Sequence, residues 1–280
     1  MNVVLLAFFA CEEKPVEDSG FFDIVIEDSE SDTEDTEEKD DSGIDEPDPD
    51  SSEVGLFGSY TDVELVSHTI TEELWDAGPN RMFNISQYDN ISGFVIAQNG
   101  ENNNQQYGMP GRWSKFQWYS NDDGELFYCQ SISDAPSEDA AMTANADVAD
   151  LGLGCAGGPW TEIRLNMDLS GDFVDNSGQP HSINPFTWAL GTAPLLFHIV
   201  EYSNDEDYAL AQNDPGNQSD PGLYSKLEWT TTPDGDWFYC HTTSNASSND
   251  EAKAVTADRD DLLTGCGTDP WTSLTQNGPR

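Results

Sequence analysis

Short runs of alternating hydrophobic and polar residues fill the chain from about residue 57 onward. These runs are rich in Val, Ile, Thr, Phe, Tyr and Trp, and turns rich in Gly, Asn and Asp separate them, which is typical of half-buried strands. The pattern predicts strands near 57–61, 67–75, 82–88, 93–98, 112–119, 125–131 and 160–165, each with a counterpart later in the chain. One helix is predicted near 137–146 and another near 248–257. The predicted fold is therefore mainly β, an antiparallel meander forming a small sandwich or barrel.

The β-rich part of the chain is an internal repeat of two copies, at an offset of 111 to 114 residues. Matched positions include Asp62 with Asp175, His68 with His181, Trp75 with Trp188, Lys115 with Lys226, and Tyr128 with Tyr239. Because order and spacing are kept over about 110 residues, each copy is a domain rather than a solenoid unit. We expect one domain at 54–166 and a second at 167–280.

Four of the five cysteines follow this repeat. Cys129 and Cys155 lie in the first copy, Cys240 and Cys266 in the second, and each pair is separated by 26 positions. In an exported chain the simplest pairing is one disulfide within each copy. The alternative is a metal site, but two cysteines without histidines at ligand spacing are a poor zinc set.

The first 53 residues have a different composition from the rest. Residues 3–9 are all apolar, which is too short for a transmembrane helix of about 20 residues and typical of a secretory signal. Residues 12–53 hold 20 acidic and 2 basic residues, a net charge of −18. So high a like charge with so few apolar residues predicts a disordered acidic linker over 11–53.

The junction Phe8-Phe9-Ala10-Cys11 resembles the lipobox of bacterial lipoproteins. The resemblance covers only the first dozen residues. It implies that residues 1–10 are a lipoprotein-type signal peptide, that cleavage precedes Cys11, and that acylated Cys11 anchors the chain to a membrane. An ordinary signal peptide, or a free cysteine in a secreted chain, is the alternative.

Charge narrows the range of partners. The whole chain carries 10 Lys+Arg against 54 Asp+Glu, a net charge of −44. Nucleic-acid binding requires clustered Lys and Arg, so nucleic acid is excluded as a partner. Subtracting the −18 of residues 1–53 leaves −26 for residues 54–280, so the β-rich part is acidic in its own right.

Catalytic residues are harder to find. The sequence contains no Gly-rich phosphate loop, no Gly-x-Ser-x-Gly elbow and no His-Glu-x-x-His pattern. His68 and His181 recur in the two copies, and each is a candidate general base. Without a fixed Ser, Cys or carboxylate partner in the sequence, histidines packed on the sheet are the favoured interpretation, so no catalytic residue is assigned.

A more specific functional hypothesis is a platform of exposed aromatic and lysine side chains that binds a ligand. Strand alternation places Phe116 and Trp118 on one face of the strand, with Trp113, Lys115 and Gln117 on the other, and the second copy repeats the arrangement. The candidate platform residues are Trp113, Lys115, Tyr128, Tyr224, Lys226, Trp237 and Tyr239. If exposed, these rings could stack on carbohydrate or grip a peptide. The alternative is that each lysine makes a local salt bridge or guards an edge strand.

Calcium is the one cofactor that the acidic loops suggest. Residues 213–220 and 100–104 are rich in oxygen ligands, but neither has the ligand order of an EF-hand, and solvated turns are the favoured interpretation. No other metal or cofactor is expected.

The β-rich body resembles the tandem β-domain lipoproteins with acidic linkers from Gram-negative bacteria, and this resemblance implies no particular activity. It implies a cell-envelope location, lipid-anchored and facing the surface or outer membrane rather than the cytoplasm. We therefore expect a binding or interaction module with a carbohydrate or protein ligand. The alternatives are a hydrolase that uses His68 or His181, and a purely structural envelope protein.

Overall fold

The alternating runs form sixteen strands within residues 55–277, the part of the chain that the computed structural model describes. The predicted signal peptide, the acidic linker and Cys11 lie outside the described residues. The sixteen strands make two closed antiparallel barrels of eight strands each, in sequence order around each barrel. The mainly β prediction is confirmed, and of the two predicted architectures the barrel is the one formed.

The first barrel contains β1 to β8 and the short helix α1. Its strands are β1 (Gly58–Asp62), β2 (Ser67–Ile70), β3 (Leu74–Asp76), β4 (Met82–Asp89), β5 (Phe94–Asn99), β6 (Trp113–Ser120), β7 (Leu126–Ala135) and β8 (Thr161–Leu165), with α1 at Glu138–Met142. Strand β1 pairs with both β2 and β8, which closes the sheet.

The second barrel repeats this order. Its strands are β9 (Gly171–Asp175), β10 (Pro180–Ile183), β11 (Thr187–Leu190), β12 (Leu195–Ser203), β13 (Tyr208–Asn213), β14 (Tyr224–Thr231), β15 (Trp237–Ala246) and β16 (Thr272–Gln276), with α2 at Asn249–Lys253. Strand β9 pairs with both β10 and β16.

Two predicted elements differ from those formed. The predicted strand 67–75 is two strands, because Thr71 makes a turn in which its Oγ1 accepts from the Leu74 amide at 3.0 Å. The predicted helices are also shorter, at five residues each. Among the described residues, no helix has the length and apolar composition needed to cross a membrane.

Each barrel is filled by its inward-facing side chains. In the first barrel Trp75 stacks on Phe116 with ring centroids 4.4 Å apart, and Phe83 meets Phe116 edge-on at 4.7 Å. All three rings are buried. An eight-strand barrel has an interior just wide enough for side chains to fill, so these rings leave a packed core rather than a channel.

Both predicted disulfides form. Cys129 pairs with Cys155 and Cys240 with Cys266, and the Cα atoms are 5.5 Å apart in each pair. Each bond joins β7 or β15 to the loop that follows the helix. That loop is tight: a Cβ added at Gly154 would lie 1.9 Å from the Asp147 carbonyl oxygen, so the position requires glycine. The repeated cysteines therefore hold the loop against the barrel wall.

Candidate functional site

The two recurring histidines lie inside the barrels. In the first barrel His68 Nδ1 accepts a hydrogen bond from Trp75 Nε1 at 3.0 Å, and His68 Nε2 lies 3.1 Å from Asp62 Oδ2. The Tyr128 hydroxyl donates to the same carboxylate oxygen at 3.1 Å. Because Nδ1 is an acceptor, the ring proton sits on Nε2 and is donated to Asp62. We call this chain of side chains, Trp75–His68–Asp62–Tyr128, the core network.

The carboxylate of Asp62 is held by backbone as well as side chains. Its Oδ1 accepts from the amides of Glu64 at 3.0 Å and Val66 at 2.8 Å. Burial by itself would raise the pKa of Asp62, but the hydrogen bonds from His68 and Val66 lower that pKa below its ordinary value. Burial, followed by the nearby Asp62 charge, raises the pKa of Tyr128. Asp62 is therefore ionised and Tyr128 is neutral at neutral pH.

The second barrel keeps the core network in a looser form. Trp188 Nε1 donates to His181 Nδ1 at 3.0 Å, while His181 Nε2 is 3.5 Å from Asp175 Oδ2. Burial lowers the pKa of His181, against the opposing effect of Asp175, and burial raises the pKa of Tyr239 to about 12. A shallow groove of about 480 Å³ passes over β10, but the His181 side chain beneath it is fully buried.

This geometry suits a structural network better than a general base. The His68 side chain is also fully buried, and both of its ring nitrogens have partners. A general base needs a ring nitrogen that can reach a substrate proton. The favoured interpretation of packed histidines therefore fits the positions of both rings.

The predicted aromatic platform does not form. Its seven side chains occupy three kinds of position. Four lie beneath the helices (Trp113 and Lys115 under α1, Tyr224 and Lys226 under α2), and two lie inside the barrels (Tyr128 and Tyr239). Trp237 lies at the end of the second barrel. Lys115, Lys226, Tyr128 and Tyr239 are all buried, and Trp113 and Tyr224 are partly buried. The prediction assumed an open sheet, whereas a closed barrel hides one face in its core and α1 or α2 covers the other locally.

The two lysines have a structural role that the sequence did not reveal. Lys115 Nζ donates to the Met142 carbonyl at 3.2 Å and to the Ala144 carbonyl at 2.7 Å, just past the end of α1. Lys226 Nζ makes the matching bonds to the carbonyls of Lys253 and Val255, at 3.3 and 2.7 Å. The last carbonyls of a helix lack intrahelical partners, so each lysine caps its helix. Burial lowers the pKa of Lys115.

A buried serine–histidine pair occurs only in the second barrel, where His241 Nε2 is 3.0 Å from Ser225 Oγ. Ser225 Oγ donates to Asn213 Oδ1 at 2.6 Å, so Ser225 must accept from His241. The first barrel places Gln130 at the same position, and its Nε2 donates to Ser114 Oγ at 3.0 Å. His241 therefore acts as a hydrogen-bond donor, not as a base that activates serine.

The loops considered for calcium use their oxygens internally. Asn217 Oδ1 accepts from the Leu196 amide at 2.9 Å, and Asn103 Oδ1 accepts from the Met82 amide at 2.8 Å. Asp214 Oδ2 lies 2.7 Å from His198 Nε2. No group of three or more metal-binding side chains is found within residues 55–277. The side chains of these loops stabilise turns.

A solvent-open cleft of about 850 Å³ lies where the two barrels meet, and we call it the inter-barrel cleft. It is lined by Ser59, Asn166, Asp168, Ser170, Phe173, Thr231, Gly235, Trp237 and Gln276. Its volume lies within the usual range of about 300–1,000 Å³ for ligand sites. Its lining combines one partly exposed tryptophan with hydroxyl, amide and carboxylate groups. The inter-barrel cleft is therefore the candidate functional site.

Direct bonds fix the walls of this cleft. Arg164 Nη1 donates to the carbonyls of Pro185 at 3.1 Å and Ile199 at 2.9 Å, joining the last strand of the first barrel to the second barrel. Asn204 binds the connecting segment at both ends: its Nδ2 donates to the Asn166 carbonyl at 3.0 Å and its Oδ1 accepts from the Asp168 amide at 3.0 Å. The barrels thus meet in one bonded arrangement, which preorganises the cleft.

The cleft has no equal in the first barrel. At the corresponding rim of the first barrel, Leu126 occupies the position of Trp237, Phe57 that of Ser170, and Leu165 that of Gln276. Phe57 and Leu165 are 52% and 46% exposed. The two copies therefore keep a common interior but differ at this rim, which is apolar in the first barrel and polar in the second.

Sequence reasoning named Trp237 but missed the connecting segment 166–170. The available signal was divergence between the copies: Ser170 and Gln276 replace the apolar Phe57 and Leu165, and Trp237 replaces the smaller Leu126. Comparisons of the chain with protein-family models, with curated proteins and with solved structures find no match. The chain therefore has to be understood from its own geometry.

Replacing Asp62 with asparagine tests the core network. Trp75 holds the proton of His68 on Nε2, and both this N–H and the Tyr128 hydroxyl donate to the carboxylate of Asp62. An asparagine would place its own Nδ2 donor against one or more of the donors that the carboxylate now accepts. We expect Asp62→Asn to lower the free energy of unfolding by about 2–4 kcal/mol in urea titrations at pH 7. The loss should be smaller when Trp75→Phe is also present, because the ring proton can then move to Nδ1. A variant as stable as the wild type would contradict this proton assignment.

Replacing His241 with glutamine tests the effect of burial on that ring. Burial lowers the pKa of His241 to about 4, against an ordinary value of 6.5. The unfolded chain therefore binds the proton first, and stability present above pH 6.5 is lost as the pH falls toward 4. We expect wild-type protein to lose about 2–3 kcal/mol more than His241→Gln between pH 7.5 and 4.5, measured by urea unfolding. Gln130→His should create the same sensitivity in the first barrel, and equal pH profiles would contradict the prediction.

Proposed function

We propose that this chain is a lipid-anchored binding protein of the cell envelope whose ligand occupies the inter-barrel cleft. The observation that carries the binding proposal is the cleft itself, a polar depression with a partly exposed tryptophan between two bonded barrels. A module that only filled space would gain nothing from the buried, unpaired hydroxyl of Ser170 at this junction, because an unsatisfied buried polar group costs stability.

The residues of the cleft favour binding over catalysis. Its polar lining consists of Ser, Thr, Asn and Gln residues with one carboxylate, Asp168. A hydrolase based on His68 or His181 would have to bring substrate to rings that are sealed inside the barrels. Acid–base hydrolysis of a glycoside uses two carboxylates, and the cleft lining contains only one, Asp168. Ligand binding is therefore the function that fits both the open cleft and the buried histidines.

The envelope location has separate support. Two disulfides persist in oxidising compartments and are rare in a reducing cytosol. The apolar run at 3–9 followed by Ala10-Cys11 fits export and acylation of Cys11. In this proposal the lipid is attached ahead of the acidic segment 12–53, and the two barrels face outward from the membrane.

Replacing Cys11 with serine tests the anchor. In a Gram-negative host that exports the full chain, we expect wild-type protein in the membrane fraction, with acyl chains on Cys11 shown by mass spectrometry of the amino-terminal peptide. Cys11→Ser should lose the acyl chains and move to the soluble envelope fraction, while both disulfides still form. An unmodified Cys11 in mature wild-type protein would contradict the proposed anchor.

A chemically sorted ligand panel tests the binding function. The full chain would be screened by thermal shift and calorimetry against neutral oligosaccharides, sulfated oligosaccharides, trimethylammonium compounds and short peptides. We expect at least one class to bind saturably and to raise the melting temperature, since a ligand that binds only the folded state stabilises it. The effect should be lost in Ser170→Phe, which gives the cleft the side chain of the first-barrel rim. No binding by any class, or binding unaffected by Ser170→Phe, would contradict the proposal.

A further inference from the structure

We infer that the inter-barrel cleft binds a neutral oligosaccharide, with Trp237 as the surface on which a sugar ring stacks. The inference rests on the proposed binding function and names the chemical class of its ligand. It draws on three features of the cleft: the support of Trp237, the polar groups around it, among which Ser170 Oγ is unpaired, and the local charge.

Trp237 is held as a fixed ring rather than a loose surface side chain. It begins β15 and is paired with Thr231 on one side and Leu274 on the other. The indole packs against the core of the second barrel and remains partly exposed on the cleft. An aromatic ring that is already ordered gives a large apolar face at little further entropic cost. The apolar C–H face of a sugar ring matches such a surface.

One polar group at the cleft is left unpaired within the described residues. Ser170 Oγ is buried at the cleft and has no hydrogen-bond partner there. Thr61 Oγ1 donates a hydrogen bond to Asn166 Oδ1 at 2.7 Å. This bond uses the oxygen of the Asn166 side chain and leaves its Nδ2 group to donate to another acceptor. A buried hydroxyl without a partner is uncommon in folded proteins and calls for a bound water or ligand.

These groups suit hydroxyls in particular. Asn166 Nδ2 donates, the Asp168 carboxylate accepts, and the hydroxyls of Ser59, Ser170 and Thr231 do both. Each sugar hydroxyl can likewise donate and accept, so a sugar can satisfy such a mixed set. A peptide backbone offers alternating single donors and acceptors, and it would gain most from a free sheet edge, which a closed barrel lacks.

Charge selects a neutral ligand over an ionic one. The cleft lining contains no Lys or Arg, and residues 54–280 carry a net charge of −26, so an anionic glycan would be repelled. A quaternary ammonium group is normally enclosed by several aromatic faces. Here the second ring of the lining, Phe173, is 2% exposed and belongs to the core, so only Trp237 is presented.

Trp237→Leu is the decisive variant, because the first barrel already shows that leucine fits. Leu126 holds the matching position and pairs with Ser120 and Ile163 as Trp237 pairs with Thr231 and Leu274. The full chain would be applied to an array of neutral and anionic oligosaccharides, and affinities for the neutral sugars that bind would be measured by calorimetry. We expect Trp237→Leu to weaken that affinity by about tenfold or more. Because the indole also packs against the core, the variant should lose some stability without ligand and still unfold cooperatively.

Tyr119→Thr is the matched control. Tyr119 is a partly exposed aromatic residue of the first barrel, far along the chain from the cleft residues of the second, and Thr230 occupies its place there. We expect this variant to bind neutral sugars within about twofold of wild type.

The outcomes separate the ligand class from the binding function. Neutral-sugar binding that is lost in Trp237→Leu and kept in Tyr119→Thr supports the inference. Binding of trimethylammonium or peptide instead, lost in Trp237→Leu, overturns the sugar assignment and leaves the proposed binding function standing. Neutral-sugar binding that survives Trp237→Leu overturns the role of Trp237, and absence of binding by every class overturns both proposals.

Discussion

Closure of each sheet is the constraint on which the rest of this structure depends. Once β1 pairs with β8, and β9 with β16, neither barrel has a free edge at which another strand could add. The interior of an eight-strand barrel is only wide enough for its own side chains, so chemistry placed there is sealed from solvent. A ligand must then bind at a rim or on the outer face. The polar rim at which the two barrels meet is such an opening, with a volume of about 850 Å³.

Duplication within one chain separates structural from functional residues. The buried Trp–His hydrogen bond of the core network recurs in both barrels, as do the lysines that cap the helices and the disulfides behind them. These groups are required wherever the fold is built, because removing one partner leaves a buried polar group unsatisfied. Trp237, Ser170 and Gln276 have no such counterparts. A residue that the fold itself does not require is the better candidate for recognition.

The core network also bears on two sequence hypotheses at once: it fits the favoured interpretation of His68 as a packed histidine, and it removes Tyr128 from the platform. His68 was considered as a base and Tyr128 as part of a platform, since the two residues are 60 positions apart and nothing local links them. Barrel closure brings both onto Asp62, which neither hypothesis had named. Lys115 was treated as a surface charge because its partners, the carbonyls of Met142 and Ala144, are backbone atoms that no side-chain pattern reveals.

The sequence by itself determined the β-rich repeat, its antiparallel order and the pairing of the cysteines, because strand alternation, turn residues and a repeated spacing are local or periodic signals. It did not distinguish a sandwich from a barrel, since closure depends on the meeting of β1 with β8 about 100 residues later. It also did not break the strand at Thr71, where the side-chain oxygen accepts from the Leu74 amide and makes the turn. The inter-barrel cleft was likewise decided only by tertiary structure. Asn166 and Ser170 lie in a connecting segment with no pattern of their own, and they face Trp237 because Arg164 and Asn204 fix one barrel against the other.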